Sequence, residues 1–305
     1  MLKLILPLTF LFCSLWSASH AQERFIEVDG ANIWVNTLGL EGRQPGQPVI
    51  VFESGYATPM GNWDKVIAAQ AELGPIVTYD RPGIGESEAV EEQPNPKRVA
   101  DRLLRILDHL EVPPPYLLVG HSLGGVYVRG FAVYYPEKLA GLVIVDPGDF
   151  TETFENRKDY YRPLGWDDAR IDAYYDALLA KNLAGDASLP PALQREKKGL
   201  RELRAREYAE IRESPLPNIP VHILVGGKFA FPKHLWLEGF DEEAIFRSKS
   251  MVRLLRWTEV IQSVDHGMIF FSANAGHYVH WEDPELAIAS IQMVLRDYAK
   301  MQAAE

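Results

Sequence analysis

Cysteine is nearly absent: Cys13 is the only one in 305 residues. It lies in an apolar run near the N-terminus, so the rest of the chain offers neither a disulfide nor a thiol nucleophile. Phe12 just before it also fails a lipoprotein-type processing site, which wants a small residue there. A basic excess is missing as well. The 31 Lys and Arg stand against 42 Asp and Glu, a formal net charge of −11, which argues against nucleic acid or an anionic lipid surface as a partner. No grouping of His, Asp and Glu has metal-ligand spacing. Gly83-Ile84-Gly85 lacks the third glycine of a dinucleotide fingerprint and the Gly-Lys-Ser of a phosphate loop, so the turn reads as structural and no cofactor is expected. The apolar run Leu4 to Trp16 is short for a bilayer. Preceded by Lys3 and followed by Ser17-Ala18-Ser19-His20-Ala21, it reads as a secretory leader over residues 1–21, cleaved after Ala21. The protein is therefore expected outside the cytoplasm, periplasmic or secreted, with no stable membrane insertion once the leader is gone.

What is present is a sharp corner. Tyr116-Leu117-Leu118-Val119 suits a strand covered on both faces, and Val126 to Tyr135 runs as a helix until Pro136. Between them, Gly120-His121-Ser122-Leu123-Gly124-Gly125 places a serine at the turn. Such a corner strains the serine backbone and admits only small neighbours, here Gly120 and Gly124. It exposes the Ser122 hydroxyl and aims the Leu123 amide, at a helix N-terminus, toward whatever that oxygen attacks.

With 47% hydrophobic and 11% aromatic residues, the chain can bury a sizeable core as one large α/β domain. Residues 24–28 and 31–37 read as a hairpin turned by Asp29-Gly30. Further apolar strands follow at 49–52, 76–79, 142–145, 221–227 and 267–272. Helices are expected where Asn62 caps Trp63, Val66 and Ile67, where Asn95-Pro96 opens a run through Leu110, over 241–262, and after Asp283. Strands alternating with helices at this spacing predict a mostly parallel sheet flanked by helices. From 150 to 217 the alternation stops. Two helices are expected there, near 167–182 and 191–213, the second highly charged and read as a solvated face. This stretch reads as a lid, with Tyr160, Tyr161, Trp166, Tyr174 and Tyr175 available to face a substrate. The expected organisation is a leader (1–21), a first core segment (22–149), a helical cap (150–217) and a second core segment (218–305).

Four landmarks in order give the chain its resemblance to the α/β-hydrolase superfamily: Gly55-Tyr56 with Trp63 downstream, Asp80-Arg81-Pro82-Gly83-Ile84-Gly85-Glu86-Ser87, Gly120-His121-Ser122-Leu123-Gly124, and Gly276-His277 ahead of His280-Trp281-Glu282-Asp283-Pro284. The resemblance implies an eight-stranded sheet, a cap inserted after the sixth strand, and a nucleophile, acid and histidine in that chain order. A serine hydroxyl needs a base whose other ring nitrogen is held by a carboxylate. Ser122 is the nucleophile and His277, in the loop after the last strand, the base. His121 is assigned to packing, and His280, His266 and His234 to structural or surface places. The family's usual acid position after the seventh strand looks vacant in Val225 to Pro232. Some members place the acid at the end of the sixth strand, where Asp146 stands; Asp149, Glu238 and Asp241 remain alternatives. The resemblance pairs the amides of Tyr56 and Leu123 as oxyanion hole, with Glu53-Ser54-Gly55 replacing the family's usual histidine before the loop glycine.

The expected function is an exported serine hydrolase acting on a small-molecule carboxylic ester through an acyl-enzyme. Carbon–carbon cleavage, lactone hydrolysis and cofactor-free perhydrolysis use the same triad, and a ligand-binding member without catalysis is the contrasting class. Serine at the elbow argues against epoxide-hydrolase chemistry, which in this family uses a carboxylate nucleophile.

Overall fold

A computed structural model describes residues 21–304. The expected leader, Cys13 included, lies outside the described residues apart from Ala21. Eight strands form a single sheet: β1 Gln22–Val28, β2 Ala31–Leu38, β3 Val49–Glu53, β4 Ile76–Tyr79, β5 Tyr116–His121, β6 Leu139–Val145, β7 Val221–Gly226 and β8 Gly267–Ser272. Their order across the sheet is β1-β2-β4-β3-β5-β6-β7-β8. The β1–β2 and β2–β4 pairs are antiparallel, and every other pair is parallel. The β1–β2 turn places Asp29 and Gly30 at φ 56° and 74°, the left-handed pair that a tight hairpin requires.

Alternate residues of the central strands feed two separate cores, which is why these strands read as continuous apolar runs. Val49, Val51, Leu118, Leu142 and Ile144 face one side with Leu103, Ile106, Leu107, Val128, Phe131 and Trp257. Ile50, Phe52, Leu117, Val119, Val143 and Val145 face the other with Trp63, Val66, Ala287, Ile291 and Val294. The long helices that supply these layers are α1 Pro96–His109, α2 Leu123–Tyr134, α5 Glu242–Ile261 and α6 Pro284–Ala304, and Trp63 and Val66 come from the short turns of residues 60–67. At the start of α1 the Asn95 side chain accepts from the Arg98 amide at 2.9 Å, with Pro96 in the first turn, so the expected cap forms.

Between β6 and β7 the described chain holds helices and no strand. The two long ones are α3 Asp168–Asp186 and α4 Pro191–Ala205. Two readings need correction here. The charged helix does not run through to 213: Glu207 and Tyr208 take positive φ, 54° and 51°, and a short turn resumes at Ala209–Arg212. The break lets Tyr208 and Ile211 turn inward beside Leu203. The tyrosines of the insertion also behave differently. Tyr160, Tyr161 and Tyr174 are buried with Ile171 and Ile245, and Trp166, Tyr175 and Phe240 pack around them, so they form a small aromatic core joining the insertion to α5.

Candidate active site

Ser122 sits at the corner between β5 and α2 with φ 53° and ψ −114°, a backbone state costly for a non-glycine residue and characteristic of functional positions. The Ser122 amide donates to the Val145 carbonyl at 2.9 Å, so the corner is pinned to the end of β6. A Cβ on Gly120 would collide with the Gly124 carbonyl, and one on Gly124 with the Glu53 carbonyl. Strand, corner and β3 terminus therefore approach closely only because both positions are glycine.

Residues distant in sequence converge here because β6, β7 and β8 are parallel neighbours ending at one edge. Asp146, the first residue after β6, has φ 39° and extends the ladder by donating its amide to the Leu224 carbonyl at 2.7 Å. Its carboxylate Oδ2 lies 2.6 Å from His277 Nδ1, in the loop after β8. Its Oδ1 faces the Gly226 amide at 3.4 Å and Arg253 of α5 at 3.6 Å. Burial works to raise this carboxyl, but the Arg253 charge and the His277 hydrogen bond outweigh it and hold it below the ordinary range. Arg253 itself donates to the Pro147 carbonyl at 2.7 Å and lies over the Trp257 ring. It was not legible as a site residue, because nothing in its helical surroundings distinguishes it from a surface arginine.

The other carboxylates are engaged elsewhere. Asp149 accepts from the Thr151 amide, Tyr160 hydroxyl and Arg256. Asp241 caps α5 by accepting from the Ala244 amide at 3.0 Å, and Glu238 is exposed. Of the four candidates, Asp146 is the one that meets His277.

His277 is anchored through its neighbours. The ring of His121 lies 4.7 Å from that of His277, and His121 Nε2 donates to the His277 carbonyl at 2.9 Å. Burial, with the nearby His280 and His277, keeps the His121 imidazole well below its usual pKa, so it is a neutral packing group. The His280 ring lies 4.1 Å from that of Trp63, tilted by 34°, and its Nε2 lies 2.5 Å from Asn62 Nδ2. Asn62 thus reaches this ring instead of capping a helix, and the short helix that follows, Asp64–Ile67, has no side-chain cap. Ser122 Oγ makes no hydrogen bond to His277 among the described residues; such contacts commonly close only when substrate binds. The amides of Leu123 and Tyr56 are likewise without acceptors among the described residues. Both residues belong to one apolar cluster with Val126, Tyr127, Phe150, Leu203, Tyr208 and Ile211, through which the insertion packs over the serine helix.

No helix among the described residues is long and apolar enough to cross a membrane, and no group of three or more His, Cys, Asp or Glu among them is placed to hold a metal ion. The sequence of residues 50–291 matches the model of the alpha/beta hydrolase family. The chain belongs to the alpha/beta hydrolase family. The uncharacterized protein YqjL of Bacillus subtilis is 39% identical to this hydrolase-family chain over 102 residues, 32% of this chain and 39% of YqjL. The chain spans less than half the length of the curated relatives it matches. Among solved structures, the epoxide hydrolase VrEH1 of Vigna radiata superposes with a TM-score of 0.61 at 16% identity, covering 90% of this chain and 98% of its own. The carboxylesterase CesB of Bacillus subtilis does so at 0.53 and 18%, covering 92% and 93%. At these identities the likeness is one of fold, and an epoxide hydrolase and an esterase fit it comparably; chemistry has to be argued from the site.

Proposed function

We propose that this alpha/beta hydrolase is an exported serine hydrolase that cleaves a small-molecule carboxylic ester. The observation that carries the reading is the 2.6 Å contact from His277 Nδ1 to Asp146 Oδ2, beside a serine in a strained, partly exposed corner. With Asp146 accepting at Nδ1, the neutral ring presents Nε2 as a base. Ser122 Oγ bonds to the ester carbonyl carbon as its proton passes to His277 Nε2. The amides of Leu123 and Tyr56 take the negative charge that develops on the carbonyl oxygen. His277 then returns the proton to the departing alcohol oxygen, the C–O bond breaks, and water repeats the sequence on the acyl-enzyme to release the acid. Serine at the elbow, where epoxide hydrolases of this fold use a carboxylate, favours acyl transfer over epoxide opening.

A fluorophosphonate probe and p-nitrophenyl esters of graded chain length test this. Wild-type protein is expected to be labelled and to turn over short esters with a length cutoff, and Ser122→Ala to lose both. Wild-type protein that takes neither probe nor ester would assign the fold a binding role. For export, the N-terminus of protein recovered outside the cytoplasm should be Gln22. An intact Met1 on cytoplasmic protein would refute the leader.

A further inference from the structure

The loop that carries Tyr56 is held by a buried ionic group which the proposed mechanism does not use. Arg81, 5% exposed, reaches the turn after β3 with three donors. Its Nη1 bonds Glu53 Oε1 at 2.6 Å and the Ser54 carbonyl at 2.5 Å, and its Nη2 bonds the Gly55 carbonyl at 2.6 Å. Glu53 also accepts from the Tyr79 hydroxyl. On its other side Arg81 meets Glu196, a 4% exposed residue of α4 in the insertion, through Nε at 2.8 Å and Nη2 at 2.7 Å. The second oxygen of Glu196 accepts from the Ala57 amide at 2.8 Å, and Ala57 has φ 55°.

Backbone geometry makes this grip specific. In a trans peptide the carbonyl and the N–H point in opposite directions in one plane. The Gly55 carbonyl and the Tyr56 N–H belong to the same peptide unit, so Arg81, by fixing the carbonyl, fixes the direction in which Tyr56 donates. Glu196 fixes the next peptide unit through the Ala57 amide. The donor is pinned on both flanks, and one pin comes from the insertion.

We infer that Glu196 is a positioning residue that completes the oxyanion hole only when α4 is docked, coupling closure of the insertion to catalysis. The inference rests on the esterase reading. It accounts for a buried carboxylate on a helix whose other charged residues are at least partly exposed. Two carboxyl groups share one guanidinium in the interior, an arrangement that packing alone does not favour.

Glu196→Met tests it, since methionine keeps the volume, removes both acceptors and leaves Arg81 paired with Glu53. The expected result with a short p-nitrophenyl ester is a fall in kcat of about 100-fold, the scale for losing one oxyanion donor, with KM within about twofold because ground-state binding is untouched. The Ki of a trifluoromethyl ketone, which forms the oxyanion adduct, should rise by the same factor. Glu196→Gln, which retains one acceptor, should recover about half of the loss on a logarithmic scale. Should the methionine variant not fold, the glutamine variant decides alone: a drop in kcat of about tenfold supports the coupling, and an unchanged kcat overturns it. An active wild type with unaltered kcat and Ki in Glu196→Met overturns the coupling and leaves the esterase reading standing. A wild type inactive on every ester overturns both.

Discussion

Asp146→Asn is expected to lower kcat by about 10⁴-fold while the protein stays folded, the scale found when a triad histidine is forced into the wrong tautomer. The surroundings of the carboxylate say why the substitution is not conservative here. Oδ1 faces two donors, the Gly226 amide and Arg253, so the asparagine carbonyl will turn toward them. Its NH2 is then left pointing at His277 Nδ1, which must accept. The ring proton moves to Nε2, where a base is needed, and the ring can no longer take the proton of Ser122. Because geometry is kept, KM should change little. Asp149→Asn and Asp241→Asn serve as controls, since those carboxylates bind Tyr160 and Arg256 or cap α5; each should keep kcat within a few-fold. Near-normal turnover in Asp146→Asn, with circular dichroism and melting unchanged, would move the acid role elsewhere.

How much of this could be read beforehand divides along a physical line. The central strands β3 to β7 were legible because a strand buried on both faces reads as a near-continuous apolar run, and the β1–β2 hairpin because Asp29-Gly30 supplies the two left-handed positions it needs. Breaks inside helical stretches were not. The positive φ at Glu207 and Tyr208 is imposed by packing Tyr208 and Ile211 inward, a tertiary effect with no local signature. The tyrosines of the insertion misled for a related reason: aromatic content says that a surface will be buried but not against what. Within the site, Ser122 and its glycines form a local motif. The Glu53–Arg81–Glu196 group joins residues 28 and 115 positions apart, and no spacing rule finds such partners. A hint was present in Glu53 itself, a carboxylate ending a strand of four apolar residues, where a charge must find a buried partner. The choice of Asp146 over Asp149 turns on three residues of chain, which is decided by the sheet edge and by Arg256 claiming the latter.

A second large effect is expected on stability in mild acid. His121, His222 and His280 are each at most 1% exposed, and burial is the main cause depressing all three. His222 falls to about 4 and His280 to about 3 from 6.5, while His121 goes well below it. The unfolded chain protonates these rings as pH drops through 6.5, but the folded chain does not until pH approaches the depressed values. Between those limits the unfolded state holds more protons, so the stability present at neutral pH is lost as pH falls. Each ring contributes about 1.4 kcal/mol per pH unit once fully in the window, and three together about 4 kcal/mol per unit. Glu53 and Asp80, whose carboxyls burial raises, act in the opposite sense and blunt the slope toward the acid end. Against a typical total of about 5–15 kcal/mol, the loss of roughly 6 kcal/mol that this slope implies between pH 6.5 and 5 is a large share of the stability. Urea titrations from pH 7.5 to 5 should show a midpoint that falls steeply. His222→Asn separates this from any effect at the active site, because His222 bonds Ser290 at 2.9 Å on the α6 side of the sheet, and asparagine can keep that bond. The slope in that variant should shrink by about one proton, roughly 1.4 kcal/mol per pH unit. A midpoint that is flat between pH 7 and 5 would mean that these rings are hydrated or relax enough to charge in place.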